Sequence, residues 1–132
     1  MITYMLDTNI CIYAMNNKPQ KVRKKLIQHQ KNVCISNITL AELLYGAEKS
    51  ANRDKAWYAV NAFTENLLIL DYDVMAATYT AKIRATLERK GMPIGSYDTM
   101  IAGHALSQNI ILVTNNQKEF NRVNGLQLDN WI

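Results

Sequence analysis

The stretch Thr3-Tyr4-Met5-Leu6-Asp7-Thr8-Asn9 decides how this chain folds. Residues 3–6 have the β-rich, apolar character of a buried strand. A carboxylate, a hydroxyl and an amide follow, and a helix-like stretch runs over 10–15. In an open α/β sheet, ligands collect in the crevice beyond the carboxyl ends of the strands. Asp7 belongs at that crevice, where a bare carboxylate is costly unless it caps a helix or holds a cation. On these residues alone both readings stand.

Beyond this stretch, short apolar runs alternate with longer helical patterns. Strands are expected over 3–6, 33–35, 67–70, 110–113 and 126–128, and helices over 19–30, 39–49, 53–65, 74–90 and 97–107. Asp73 before Val74, Gly91 after Lys90 and Ser96 before Tyr97 act as start and stop signals. Such alternation implies a mostly parallel sheet with right-handed crossovers and helices on both faces, a three-layer α/β/α sandwich. No repeat, low-complexity run or composition break divides the chain, so residues 1–132 read as one domain. Within 53–65 and just beyond, Ala56, Val60, Phe63 and Leu67 form a core-facing stripe. Trp57 and Tyr58 beside it offer large apolar surface for a subunit contact.

The chain has 132 residues, 48% of them hydrophobic, with five glycines and two prolines, which excludes a disordered tail. No apolar run approaches the ~18 residues that span a bilayer. No basic segment precedes an apolar leader, so a cytoplasmic protein is expected. Cys11 and Cys34 sit among apolar neighbours and read as free buried thiols rather than a disulfide or metal pair. The net charge is +4, with Lys18, Lys21, Arg23, Lys24 and Lys25 in one cluster and Arg84, Arg89 and Lys90 in another. Each cluster is a solvated helix face, or a set of phosphate contacts if it flanks a catalytic crevice.

Acidic residues recur where the crevice should be. Asp7 ends the first strand, and Glu42 lies one turn into the helix after the second. Asp98 opens the helix before the fourth strand, and Glu119 follows that strand. Each has a structural alternative. Thr39-x-x-Glu42 fits a capping box, Asp98 gains from the helix macrodipole, and Glu119 can face water. Jointly, acids set among Leu40, Ala41, Leu43 and Leu44, or ahead of Met100-Ile101-Ala102, need partners. No Lys or Arg stands at matching places, which makes a divalent cation the economical partner. Oxygen ligands of this kind suit Mg²⁺ or Mn²⁺, completed by substrate phosphates. His29 and His104 are isolated, and the chain has no zinc-type cluster, nucleophile elbow or glycine-rich phosphate loop.

Four segments carry a resemblance. They are Met5-Leu6-Asp7-Thr8-Asn9, then Ser36-x-x-Thr39-x-x-Glu42 running into Leu43-Leu44-Tyr45-Gly46-Ala47-Glu48, then Ile94-Gly95-Ser96-Tyr97-Asp98-x-x-Ile101-Ala102, and Val113-Thr114-Asn115-Asn116-x-x-Glu119-Phe120. In order and spacing they resemble the PIN-domain family, and within it the VapC-type toxins of bacterial toxin–antitoxin pairs. The resemblance implies a metal-dependent endoribonuclease that arrests growth by cutting RNA, with the anticodon loop of initiator tRNA as its target. It also implies a VapB-type antitoxin that holds the enzyme inactive, and a homodimer. Asp7, Glu42 and Asp98 match the family's metal-binding acids. Many members carry Asp where Asn116 stands; either Asn116 orients a ligand water while Glu119 supplies charge, or three acids suffice. Thr8, Asn9 and Ser36 are then expected to fix the carboxylates and Thr114 to bond near them. Water attacks the phosphorus, leaving a 5′-phosphate and a 3′-hydroxyl. Lys21, Arg23 and Lys25 are candidates to guide the RNA.

The rival from another class is a non-enzymatic, receiver-like signalling module, invited by Asp71 and Asp73. A receiver needs an acidic pair after its first strand, and Asp7-Thr8-Asn9 lacks one. A haloacid-dehalogenase-type phosphatase would need a second Asp at Asn9, and a dinucleotide fold would need glycines after Leu6.

Overall fold

Strand β1 (Tyr4–Leu6) lies at the centre of a five-stranded parallel sheet in the computed structural model, which describes residues 1–132. The other strands are β2 (Val33–Ser36), β3 (Leu68–Leu70), β4 (Ile111–Val113) and β5 (Leu128–Asp129), in the order β3-β2-β1-β4-β5. Side chains alternate across the pleat. Leu6, Val33, Ile35 and Val113 pack on one face with α1 (Thr8–Asn16), α2 (Gln20–Gln28), α3 (Asn37–Glu48) and α4 (Arg53–Thr64). Met5, Cys34 and Leu112 pack on the other with α5 (Val74–Arg89), α6 (Ser96–Gln108) and the short α7 (Gln117–Phe120). The expected α/β/α sandwich is the observed one. Cys11 and Cys34 are buried free thiols in opposite layers, and burial pushes Cys34 up to about 12.

Element ends differ from the expectation where side chains cap. Helix α1 starts at Thr8 rather than Ile10, because Asp7 accepts the Ile10 amide at 2.9 Å. Helix α3 starts at Asn37 rather than Thr39, because Ser36 accepts the Ile38 amide at 3.1 Å. The capping-box reading of Thr39 and Glu42 is thereby corrected: Ser36 is the cap, and the Thr39 hydroxyl is buried without a partner. Gly95 rather than Ser96 holds the cap position of α6. The expected helix over 19–30 ends at Gln28 and gives way to a 3₁₀ turn at Gln30–Asn32. Helix α7 was not expected at all. The start at Asp73 and the stop at Gly91 hold, the aspartate accepting the Ala76 amide and the glycine adopting φ +68°.

Two packing details position the site. Val60 is buried, and Ala56, Phe63 and Leu67 pack against its cluster, so the α4 stripe is core, while Tyr58 is exposed. Helices α5 and α6 touch at Gly103, where a Cβ would lie 2.7 Å from the Thr80 backbone nitrogen. Only a glycine admits that approach.

Candidate active site

The order of strand addition reverses at β1, with β2 and β3 laid down on one side and β4 and β5 on the other, so the topological switch point lies between β1 and β4. The ladder does not stop at the strand ends: the Asp7 amide donates to the Val113 carbonyl at 3.0 Å, and the Thr114 amide to the Asp129 carbonyl at 2.9 Å. Asp7 and Thr114 are therefore held side by side on rigid backbone at the crevice. Asp7 is buried, its carboxylate accepts the Ile10 amide, and the neighbouring Thr114 side chain favours its ionised form. The capping reading of Asp7 holds, and because the cap uses one oxygen the carboxylate keeps acceptor capacity for a further partner.

Glu42 arrives one and a half turns into α3, on the side facing α1. The Thr8 hydroxyl donates to its Oε1 at 2.7 Å. Asp98 sits half-buried in the first turn of α6. Glu119 comes from α7, and the Asn116 side-chain amide donates to its Oε2 at 2.9 Å. The Asn116 backbone amide donates in turn to the Thr114 hydroxyl at 2.9 Å. Asn116 thus orients Glu119 rather than standing alone.

The four acids share one electrostatic field. Burial chiefly, then the charges of Asp7, Glu119 and Glu42, push the Asp98 carboxyl up to about 6. Burial also raises Asp7, against the Thr114 and Ile10 hydrogen bonds, with Glu42 adding repulsion. No cation of the chain relieves this, because the two ion pairs present, Arg53–Glu48 and Arg84–Glu88, lie on exposed surface. The side chains do not close around a common point as they stand, which is how mutually repelling carboxylates settle without a neutralising charge. Partly desolvated acids with free oxygen lone pairs and no protein cation form a donor set that fits a hard divalent ion.

The remaining expected residues fall in several places. Ser36 does not touch the acids: its hydroxyl caps α3, which bears Glu42, and lies 2.8 Å from Nδ1 of His104 on α6, which bears Asp98. The serine hydroxyl accepts the Ile38 amide and shares a hydrogen bond with Nδ1, so it ties the start of α3 to α6. Burial keeps His104 neutral by lowering its pKa. Sequence alone had left His104 isolated; the pairing spans 68 residues and has no local signal. Asn9 is exposed at the crevice rim. Arg23 donates to the Ala14 and Met15 carbonyls at 3.0 and 2.9 Å, tying α2 to the C-terminal end of α1. Lys21 and Lys25 are exposed on α2, whose cap residue His29 packs against Tyr4 with the two rings tilted, at the opposite end of β1 from Asp7. Asp73 caps α5, and Asp71 lies 3.5 Å from the Asn37 amide, so neither is presented as a phospho-acceptor.

The sequence profile of a family described as "PIN domain" matches residues 4–126. A Shigella flexneri protein named tRNA(fMet)-specific endonuclease VapC is 50% identical over 131 residues, covering 99% of each chain. Among solved structures, a chain in DNA-bound VapBC from Salmonella typhimurium is 48% identical, covers 100% of both chains and superposes with a TM-score of 0.96. A chain of VapBC2 from Rickettsia felis, bound to a DNA fragment from its promoter, is 43% identical over 100% of both chains, with a TM-score of 0.93.

Proposed function

The chain belongs to the PIN-domain family, and on that premise we propose that it is a divalent-metal-dependent endoribonuclease toxin that cuts tRNA and is neutralised by a VapB-type antitoxin. The single observation that carries this reading is the gathering of Asp7, Glu42, Asp98 and Glu119 at the β1–β4 switch point with no protein cation among them. The 50% identity to a tRNA(fMet)-specific endonuclease favours the initiator tRNA as substrate. Relatives crystallised as VapBC assemblies favour the antitoxin partner. The whole of 1–132 acts as one domain in this reading, as a homodimer in the cytoplasm; no helix is long and apolar enough to cross a membrane.

Asp7, Glu42 and Asp98 would hold Mg²⁺ or Mn²⁺, with Glu119 adding charge. When bound, the ion lowers the pKa of a water and offsets the charge that builds on the phosphate. Thr8 holds Glu42 and Asn116 holds Glu119, which limits how far these two carboxylates must move as the acids close on an ion. The attacking water adds to phosphorus as the bond to the 3′ oxygen breaks. Its proton passes to solvent or to a carboxylate, and the departing oxygen is protonated, leaving a 3′-hydroxyl and a 5′-phosphate. No 2′-hydroxyl is consumed. Lys21 and Lys25 remain available for RNA phosphates away from the crevice, while Arg23 is committed to α1.

The test is cleavage of purified tRNA by wild type and Asp7→Asn, with Mg²⁺ or Mn²⁺ and again with EDTA. Discrete fragments ending in 5′-phosphate, made only by wild type with metal, are expected. Cleavage that persists in EDTA, or in the variant, refutes the reading.

A further inference from the structure

A cleft of about 660 Å³ opens beside Glu42, between the first turns of α1 and α6 and the outer side of α3. Tyr45, one turn beyond Glu42, and Tyr97, next to Asp98, both line it and are 66% and 58% exposed. Lys49 lines it too, its ammonium 5.0 Å from the centre of the Tyr45 ring and in no ion pair. Gly46 lies between them on α3. A glycine inside a helix is unfavourable relative to alanine. Here nothing in the chain asks for it: φ is ordinary, and an added Cβ would meet no atom within 4 Å. The contrast with Gly103, which Thr80 demands, is plain. The missing side chain at 46 keeps open a space that the protein itself does not fill.

Two exposed rings about a bare stretch of helix, one with a cation beside it, match a flat aromatic ligand with a nearby negative charge. An unpaired nucleobase is such a ligand, and single-stranded RNA is read by stacking on aromatic side chains with basic groups along the backbone. We propose that this cleft is a nucleotide subsite, in which a base unstacked from the RNA next to the scissile phosphate packs over Gly46 against Tyr45 and Tyr97 while Lys49 meets the adjoining phosphate. The proposal rests on the nuclease reading above and specifies what that site requires of its substrate: an unpaired base beside the cut.

The experiment compares wild type with Tyr45→Ala, Tyr97→Ala, both Phe variants and Gly46→Ala. Steady-state tRNA cleavage is measured, together with fluorescence anisotropy of a labelled single-stranded oligoribonucleotide in EDTA. Each Tyr→Ala change should raise KM and weaken oligonucleotide binding about tenfold with kcat little changed, and each Phe variant should stay near wild type. Gly46→Ala should weaken binding severalfold while melting no lower than wild type, which separates the effect from unfolding. Wild-type KM and oligonucleotide affinity in both Tyr→Ala variants overturn the proposal. So does normal cleavage accompanied by lost affinity for the antitoxin, which would make the cleft a peptide site. If wild type cleaves no RNA but binds the oligonucleotide through Tyr45 and Tyr97, the subsite stands and the nuclease reading falls.

Discussion

Asp98→Asn should make the ion-free protein more stable while abolishing cleavage. Asp98 titrates at about 6 instead of its ordinary 3.8 because burial and three neighbouring carboxylates oppose its charge. At about 1.36 kcal/mol per pKa unit, that rise corresponds to roughly 3 kcal/mol against the ionised folded state. The side chain is only half-buried, and solvent screening reduces this to about 1–2 kcal/mol. Between an unfolded pKa of 3.8 and a folded one of about 6, the folded state holds the proton and the unfolded state does not. Stability therefore falls as pH rises through that window and is flat above it. Asparagine removes the penalty, so at pH 8 in EDTA its melting temperature should exceed that of wild type by about 3–8 °C. Near pH 4 the two should coincide. Saturating Mg²⁺ should then raise wild type, whose carboxylates bind it, and move the variant less. Circular-dichroism melts across this pH range test the reasoning. A variant that melts at or below wild type at pH 8 refutes it, as does a difference that does not change with pH.

Further outcomes follow from individual contacts. Asp7→Ala and Asp7→Asn should both lose activity and both shed a charge that burial and Glu42 oppose, but only asparagine keeps the α1 cap, so Asp7→Asn should be the more stable of the two by about 1 kcal/mol in thermal melts. Thr8→Val should lower kcat/KM by about 10- to 100-fold with little change in melting temperature, and Thr8→Ser should restore most of it, because the hydroxyl acts by holding Glu42. Gly103→Ala should destabilise by at least about 1–3 kcal/mol, read by urea denaturation, because α5 must move away from α6 to admit the methyl.

The legibility of this chain was uneven for physical reasons. Glu42 and Asp98 were visible because an acid beside an apolar run is anomalous on one sequence alone, and Asp7 and Glu119 because each follows a strand. Helix α7 was not visible: four residues carry too little periodicity to register, and a neighbouring turn holds them instead. Thr39 seemed the better cap because it stands three residues before Glu42, but the hydroxyl at Ser36 is nearer the end of β2, and the first free amides are there. Arg23 looked like a nucleic-acid contact by its neighbours' charge, yet its guanidinium is occupied by the last carbonyls of α1.

What the sequence determined by itself was the layered α/β order, through hydrophobic periodicity, and the identity of the acids. Those signals are local or nearly so. What only the tertiary structure decided was their meeting. Asp7 and Glu119 reach one crevice because β1 and β4 pair across more than a hundred residues of chain. Ser36 finds His104, Thr8 finds Glu42, and Tyr45 comes to face the same cleft as Tyr97. A carboxylate's field reaches only as far as the fold places its neighbours. The charge that makes this a site therefore depends on parallel pairing and helix packing that no window of sequence contains.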